Sequence, residues 1–203
     1  EGIEKPVSKM FLGTATLPML KGENVNHLLD AAMTYGINAF DTARGYGAAE
    51  NSLGQWMKDR NNREHVVILS KCGNCAMDGS VCVNREVIEK ELEESLKALQ
   101  TDYIDLLLIH EPYDSALEMY EAMKEAYRAG KVRAIGISNF NEKKYQAFVA
   151  ACDIVPAVSQ VESHVYYPQL ALQKEMEKHG TQMQSWASFT EGRKNIFAEP
   201  LLQ

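Results

Sequence analysis

An aspartate, a tyrosine, a lysine and a histidine stand in this chain at spacings that can move a proton. Asp41 and Tyr46 lie five residues apart in the stretch I-N-A-F-D-T-A-R-G-Y-G (Ile37 to Gly47), Lys71 follows the apolar run that begins at Val66, and His110 follows another that begins at Tyr103. A phenol with an unperturbed pKa of about 10 stays protonated near neutrality and is a sluggish acid unless its anion is stabilised. An ammonium beside it supplies that stabilisation, and a carboxylate keeps the ammonium charged and in place in a partly dry pocket. A histidine can then hydrogen-bond the oxygen that receives the proton and polarise a carbonyl. Such equipment protonates an oxyanion. It pairs with hydride delivery to the carbonyl carbon, which requires a reduced cofactor because no side chain supplies hydride. Taken singly, each residue has a plain structural alternative: Asp41 a cap or turn residue, Tyr46 a loop aromatic, Lys71 a solvated strand end, His110 a histidine hydrogen-bonded in the core.

The elements that carry these residues alternate. Phe11 to Ala15 reads as a first strand containing Gly13-Thr14, followed by a polar loop with Pro18 and Gly22. Asn24 is placed to cap a helix whose Leu28, Leu29, Ala32 and Met33 share one face and which Gly36 stops. The strand from Ile37 ends at Asp41, Ala48 to Lys58 makes a helix with Leu53, Trp56 and Met57 inward, and Val66 to Ser70 is a third strand. Asn84 caps a helix in which Ile88, Leu92, Leu96 and Leu99 form one apolar stripe. Tyr103 to Ile109 is too apolar to have a wet face and belongs in a buried parallel sheet. Ser115 and Glu118 suggest a capping box for a helix through Ala129; Ala134 to Ile137 is a strand leading to Ser138 and Asn139; Asn141 caps a helix with Tyr145, Phe148 and Val149. Ala157 to Val161 contains Gln160, Pro168 opens a helix that ends before Gly180, and Thr181 to Ala187 is the last strand.

Strand-then-helix units of roughly 25 to 40 residues, repeated about six times, predict an α/β protein with a parallel sheet. No G-x-G-x-x-G follows the first strand, which favours a barrel over an open dinucleotide fold. In a barrel, function collects at the C-terminal ends of the strands, where Asp41, Lys71, His110, Asn139 and Gln160 stand. About seven strands and about six helices are countable, against the eight strands of a closed (β/α)8 barrel.

At 203 residues and 45% hydrophobic, the chain can bury the core of one domain, here taken as residues 1–203. A formal charge of -7 without basic runs argues against nucleic acid and anionic membrane as partners. No apolar run approaches the roughly 18 residues that span a bilayer, and Glu1 to Met10 lacks the apolar segment of a secretion signal, so the expected location is the cytoplasm. Cys72, Cys75, Cys82 and Cys152 allow two disulfides on paper, and Cys72-Gly-Asn-Cys75 with Cys82 offers a redox pair or part of a metal site. A metal site lacks a nearby fourth ligand, and the expectation is loop thiols with no metal.

The ordered set of motifs resembles the aldo-keto reductase family: D-T-A-x-x-Y-G (Asp41 to Gly47), L-S-K (Leu69 to Lys71), Y-I-D-L-L-L-I-H (Tyr103 to His110), G-K-V-R-A-I-G-I-S-N-F (Gly130 to Phe140), Q-V-E (Gln160 to Glu162) and S-W-A-S-F-T-E-G-R (Ser185 to Arg193). The resemblance covers about residues 10 to 203. It implies a (β/α)8 barrel, C-terminally incomplete here after strand seven, that uses NADPH, less often NADH, to reduce aldehydes or ketones to alcohols. It implies a catalytic set of Asp41, Tyr46, Lys71 and His110 with Tyr46 as proton donor. Asp41, Ser138, Asn139 and Gln160 would contact the nicotinamide end of the cofactor, Trp186 would stack on its ring, and Gly13, Thr14, Ser188 and Phe189 would lie near it.

Departures from the family pattern bear on substrate. Ala15 stands where many relatives carry an aromatic residue, and Glu111 follows the histidine where many have tryptophan, so part of the usual aromatic pocket wall is missing. In relatives the chain continues past the match to Gly192-Arg193 into an eighth strand and a basic loop for the adenosine phosphate. Two functions follow as expectations: a carbonyl reductase acting on a small carbonyl substrate, or a truncated reductase-like binding or regulatory protein that turns nothing over and self-associates across an open barrel edge.

Overall fold

The computed structural model describes residues 2–73 and 84–200. Cys75 and Cys82, and with them the C-x-x-C reading, lie outside the described residues. The strands are β1 (Phe11–Gly13), β2 (Ala39–Asp41), β3 (Val67–Cys72), β4 (Ile104–Ile109), β5 (Val132–Ser138), β6 (Val158–Glu162) and β7 (Gln182–Trp186). The helices are α1 (Leu17–Leu20), α2 (Asn26–Thr34), α3 (Ala49–Arg60), α4 (Arg85–Leu99), α5 (Ala116–Arg128), α6 (Glu142–Ala151) and α7 (Leu170–His179). The α/β alternation with parallel strands expected from the sequence is thus what the chain adopts, with one α-helix more among the described residues than the sequence pattern shows.

The chain forms two compact units, Glu1–Ile135 and Gly136–Gln203. In the first, β1 to β4 follow chain order with every resolved pairing parallel, and the register places Gly13 beside Asp41, Asp41 beside Leu69, and Lys71 beside Leu108. Every residue of β3 and β4 is buried, which explains their near-continuous apolar sequence. Helix α4 packs against α3, α5 and β3. Its stripe Ile88, Leu92, Leu96 and Leu99 is fully inside, each side chain contributing about 1.5–3 kcal/mol by burial. Its start is fixed by Asn84, whose Oδ1 accepts the Val87 N–H at 3.1 Å, as the sequence predicts. Gly54 lets α3 approach α4 closely; a Cβ there would come within 2.3 Å of the Ala98 carbonyl oxygen. In the second unit, Ser138 pairs with Gln160, Gln160 with Gln184, and Glu162 with Trp186. Asn141 caps α6 through its Oδ1, which accepts the Lys144 N–H at 2.9 Å.

Four local expectations change. Leu17–Leu20, read as loop, is the short helix α1, with Pro18 in its first turn, where a missing N–H costs nothing. Val25, which has no capping side chain, occupies the position before helix α2, while Asn24 holds the first turn through its Oδ1, which accepts the Asn26 N–H at 3.0 Å; Leu29 and Ala32 are buried and Leu28 is exposed. No capping box forms at α5: the Ser115 hydroxyl turns to the Met119 sulfur and Glu118 accepts the Arg85 N–H at 3.3 Å. Helix α7 begins after a left-handed Gln169 rather than at Pro168.

Candidate active site

In the first unit the ends of β2, β3 and β4 bring Asp41, Lys71 and His110 together, and the loop after β2 carries Tyr46 back over them. Lys71 is 2% exposed and Asp41 15%, so their ion pair sits at the edge of the core rather than in bulk water. The ammonium donates to the Asp41 carboxylate, to the Thr42 carbonyl oxygen at 3.3 Å and to the Tyr46 phenol oxygen at 3.4 Å. An ammonium has three N–H groups, and here each has an acceptor. Because the phenol oxygen accepts from Lys71, its own hydrogen is left to be donated elsewhere. The Lys71 Nζ also lies 5.1 Å from the centre of the Tyr46 ring.

His110 meets the Tyr46 ring edge-on, with ring centres 5.7 Å apart at 76°. Its backbone N–H donates to the Cys72 carbonyl at 2.8 Å, which fixes where β4 releases the imidazole. Burial first, and then the Lys71 ammonium, lower its pKa from the usual 6.5 to about 4. The imidazole is therefore neutral at physiological pH and offers one N–H donor. Cys72, fully buried, has its thiol pushed well up by burial and is inert as a nucleophile.

The loop that carries Tyr46 is held by backbone. The Thr42 N–H donates to the Leu69 carbonyl at 2.8 Å and the Arg44 N–H to the Lys71 carbonyl at 3.0 Å, so the loop begins by tracking β3. Gly47 has φ +52°, and a Cβ there would stand 2.6 Å from the Leu20 carbonyl oxygen, the same oxygen that accepts the Ala48 N–H at 3.1 Å. Helix α1, which the sequence does not reveal, is therefore the floor of this loop. Gly13 and Thr14 lie at the same mouth: the Thr14 N–H donates to the Asp41 carbonyl at 2.9 Å.

In the second unit a separate group forms at the ends of β5, β6 and β7. Asn139 has a left-handed backbone (φ 65°), and its N–H donates to the Gln160 carbonyl at 2.8 Å. The Trp186 indole N–H donates to the Asn139 Oδ1 at 2.8 Å. Ser138 and Gln160 are buried beside them, so two primary amides and a hydroxyl sit on neighbouring strand ends. A cavity of about 490 Å³ opens there, with Asn139, Phe140, Tyr167 and Trp186 in its lining. An amide-rich strand end next to an aromatic ring suits a planar carboxamide-bearing ligand. Ser188 and Phe189 lie exposed on the loop after β7, where Phe189 packs on Phe197 with ring centres 5.3 Å apart.

Comparison with known proteins gives one family. The model of the Aldo/keto reductase family matches residues 9–194. Over 203 residues the chain is 32% identical to 2,5-diketo-D-gluconic acid reductase B of Corynebacterium sp. (strain SHS752001), covering 98% of this chain and 69% of that protein. It is 31% identical to a glyoxal reductase of Bacillus subtilis (strain 168), covering 95% of this chain and 66% of that one. The crystal structure of a Bombyx mori aldo-keto reductase in complex with NADP superimposes with a TM-score of 0.76 at 26% identity, over 91% of this chain and 67% of that one. The chain thus spans about two thirds of the length of these relatives. Among the described residues no helix is long and apolar enough to cross a membrane.

Proposed function

The chain belongs to the aldo/keto reductase family, and from that premise we propose that it is a carbonyl reductase in which Tyr46 gives the proton and a reduced nicotinamide the hydride. The observation that carries this reading is the Lys71 ammonium shared between the Asp41 carboxylate and the Tyr46 phenol oxygen. As a carbonyl oxygen takes up negative charge, the Tyr46 O–H donates to it. Lys71 lowers the cost of the phenolate that remains, and Asp41 keeps Lys71 charged and aimed. His110, neutral, donates a hydrogen bond to the same carbonyl oxygen and orients it without competing as an acid.

The bound cofactor, NADPH with NADH as the alternative, supplies a hydride to the carbonyl carbon. In the second unit the residues proposed to hold its nicotinamide end are Ser138, Asn139, Gln160 and Trp186, with Ser188 and Phe189 on the loop after β7. The amides of Asn139 and Gln160 match a carboxamide group for group, and the Trp186 ring offers a flat apolar surface. The substrate class proposed is a small aldehyde or ketone. Relatives named for glyoxal and for a diketo sugar acid make glyoxal a reasonable first substrate.

The test is a titration of the chain with NADPH, and separately NADH, following quenching of tryptophan emission, then turnover with glyoxal. Saturable quenching that is diminished in Trp186→Phe, with cofactor oxidation on adding glyoxal, is the expected outcome. Absence of quenching up to millimolar cofactor would overturn the reading for this chain.

A further inference from the structure

We propose that Glu50 is a positioning residue for the proton-donating loop, acting through Arg44. The proposal rests on the reading of Tyr46 as proton donor and names what holds it in place. Arg44 lies between Asp41 and Tyr46, and its backbone is already tied to Lys71. Its guanidinium donates from Nη1 to Glu50 Oε2 at 2.7 Å and from Nε to Glu94 Oε2 at 3.3 Å. Glu50 stands in the first turn of α3 and is 1% exposed. Its second oxygen, Oε1, accepts the hydroxyl of Ser70 at 2.7 Å. Ser70 is fully buried and immediately precedes Lys71.

One carboxylate therefore joins the strand that aims Lys71 to the loop that aims Tyr46. Both of its oxygens are engaged, and it is too deeply buried to let Arg44 go without stranding a charge in the core. Glu94 is 45% exposed, and a half-solvated ion pair contributes little, so it cannot replace Glu50. The Tyr46 N–H donates to the Ala43 carbonyl at 3.0 Å, so Arg44 lies inside the turn that ends at the tyrosine. A displacement of Arg44 is passed to the phenol through that turn. The Lys71–Tyr46 contact, at 3.4 Å, is near the outer limit of a hydrogen bond and has little slack.

The variants are Glu50→Gln, Arg44→Met and the two combined, in the full chain. Three quantities are read on each: glyoxal turnover with NADPH, cofactor affinity, and amide hydrogen exchange residue by residue. Glu50→Gln is expected to lower kcat by about 10- to 100-fold, the size of a small misplacement of a reacting group, with cofactor affinity unchanged. Exchange at Arg44 and Tyr46 should quicken while β4 stays protected. Arg44→Met should reproduce both effects, and the double variant should add nothing, because one link has been cut twice. If either single variant does not fold, the double variant, which removes both charges and strands neither in the core, carries the same test. Unchanged exchange at Arg44 and Tyr46, or exchange that quickens equally throughout β3 and β4, would overturn the proposal. A wild-type chain without turnover, in variants of which exchange still quickens only in this loop, would uphold the holding role and sink the reductase reading instead.

Discussion

The Lys71 ammonium stands 3.4 Å from the Tyr46 phenol oxygen while its ion pair with Asp41 holds it from the other side. This places a fixed positive charge beside the oxygen that must become negative when the proton leaves. A fixed charge in a poorly solvated site stabilises that anion without waiting for solvent to reorganise.

The unequal burial of the pair makes its two halves unequal in stability. Asp41→Ala leaves an ammonium that is 2% exposed without its anion and is expected to cost about 3–5 kcal/mol. Lys71→Met puts an apolar side chain of similar length in the same place and leaves only the more accessible carboxylate. It should cost less than Asp41→Ala in urea unfolding, although both variants lose turnover.

His110 titrates in the fold at about 4 against 6.5 when free, so between those values the unfolded chain binds a proton that the folded chain refuses. Its contribution to stability is complete above pH 6.5 and is lost as pH falls towards 4, by about 3 kcal/mol in all. Unfolding midpoints of wild type and His110→Gln, compared over that pH range, should converge as pH falls, the wild type having the steeper dependence.

Asp105 is a second buried carboxylate, placed for structure. It is fully buried in β4 and pairs with Lys5 Nζ at 2.8 Å and Arg63 Nη2 at 2.9 Å, while accepting the Ile68 N–H at 2.9 Å. Lys5 belongs to the segment before β1 and also donates to the Val66 carbonyl at 2.6 Å. Asp105→Ala strands two cations and should cost about 3–5 kcal/mol, whereas Lys5→Met, which leaves the Arg63 pair, should cost less. Thermal unfolding of both variants checks the order.

Gly47→Ala forces a side chain into a left-handed residue with the Leu20 carbonyl 2.6 Å away. The strain is about 1–3 kcal/mol, and relieving it moves the loop that carries Tyr46. Turnover should fall more than stability does, measured as kcat beside the unfolding midpoint.

The sequence makes Asp41, Lys71 and His110 legible for a physical reason. Buried parallel strands are near-continuous apolar runs, so the first charged residue or histidine after each run marks its mouth, and neighbouring mouths converge. The stripe of α4 and the Asn84 and Asn141 caps are legible because they depend on residues a turn apart. What the pattern hides depends on contacts distant in sequence. Helix α1 is four residues long, too short for any period to show. The α5 capping box fails because Glu118 finds the Arg85 N–H, 33 positions away, instead of its own helix. Glu50 carries little local signal of its burial, and Ser70 and Arg44 closing over it make it part of the site. The one local hint was an arginine and a glutamate six residues apart, flanking the tyrosine.

The central claim is tested most directly by the turnover of Tyr46→Phe with NADPH and glyoxal, in protein shown by tryptophan quenching to bind cofactor as wild type does. Removing only the phenol oxygen is predicted to leave that binding intact and to lower kcat by about 100- to 10,000-fold, the usual contribution of a positioned acid. Turnover equal to wild type would contradict the assignment of Tyr46 as the proton donor.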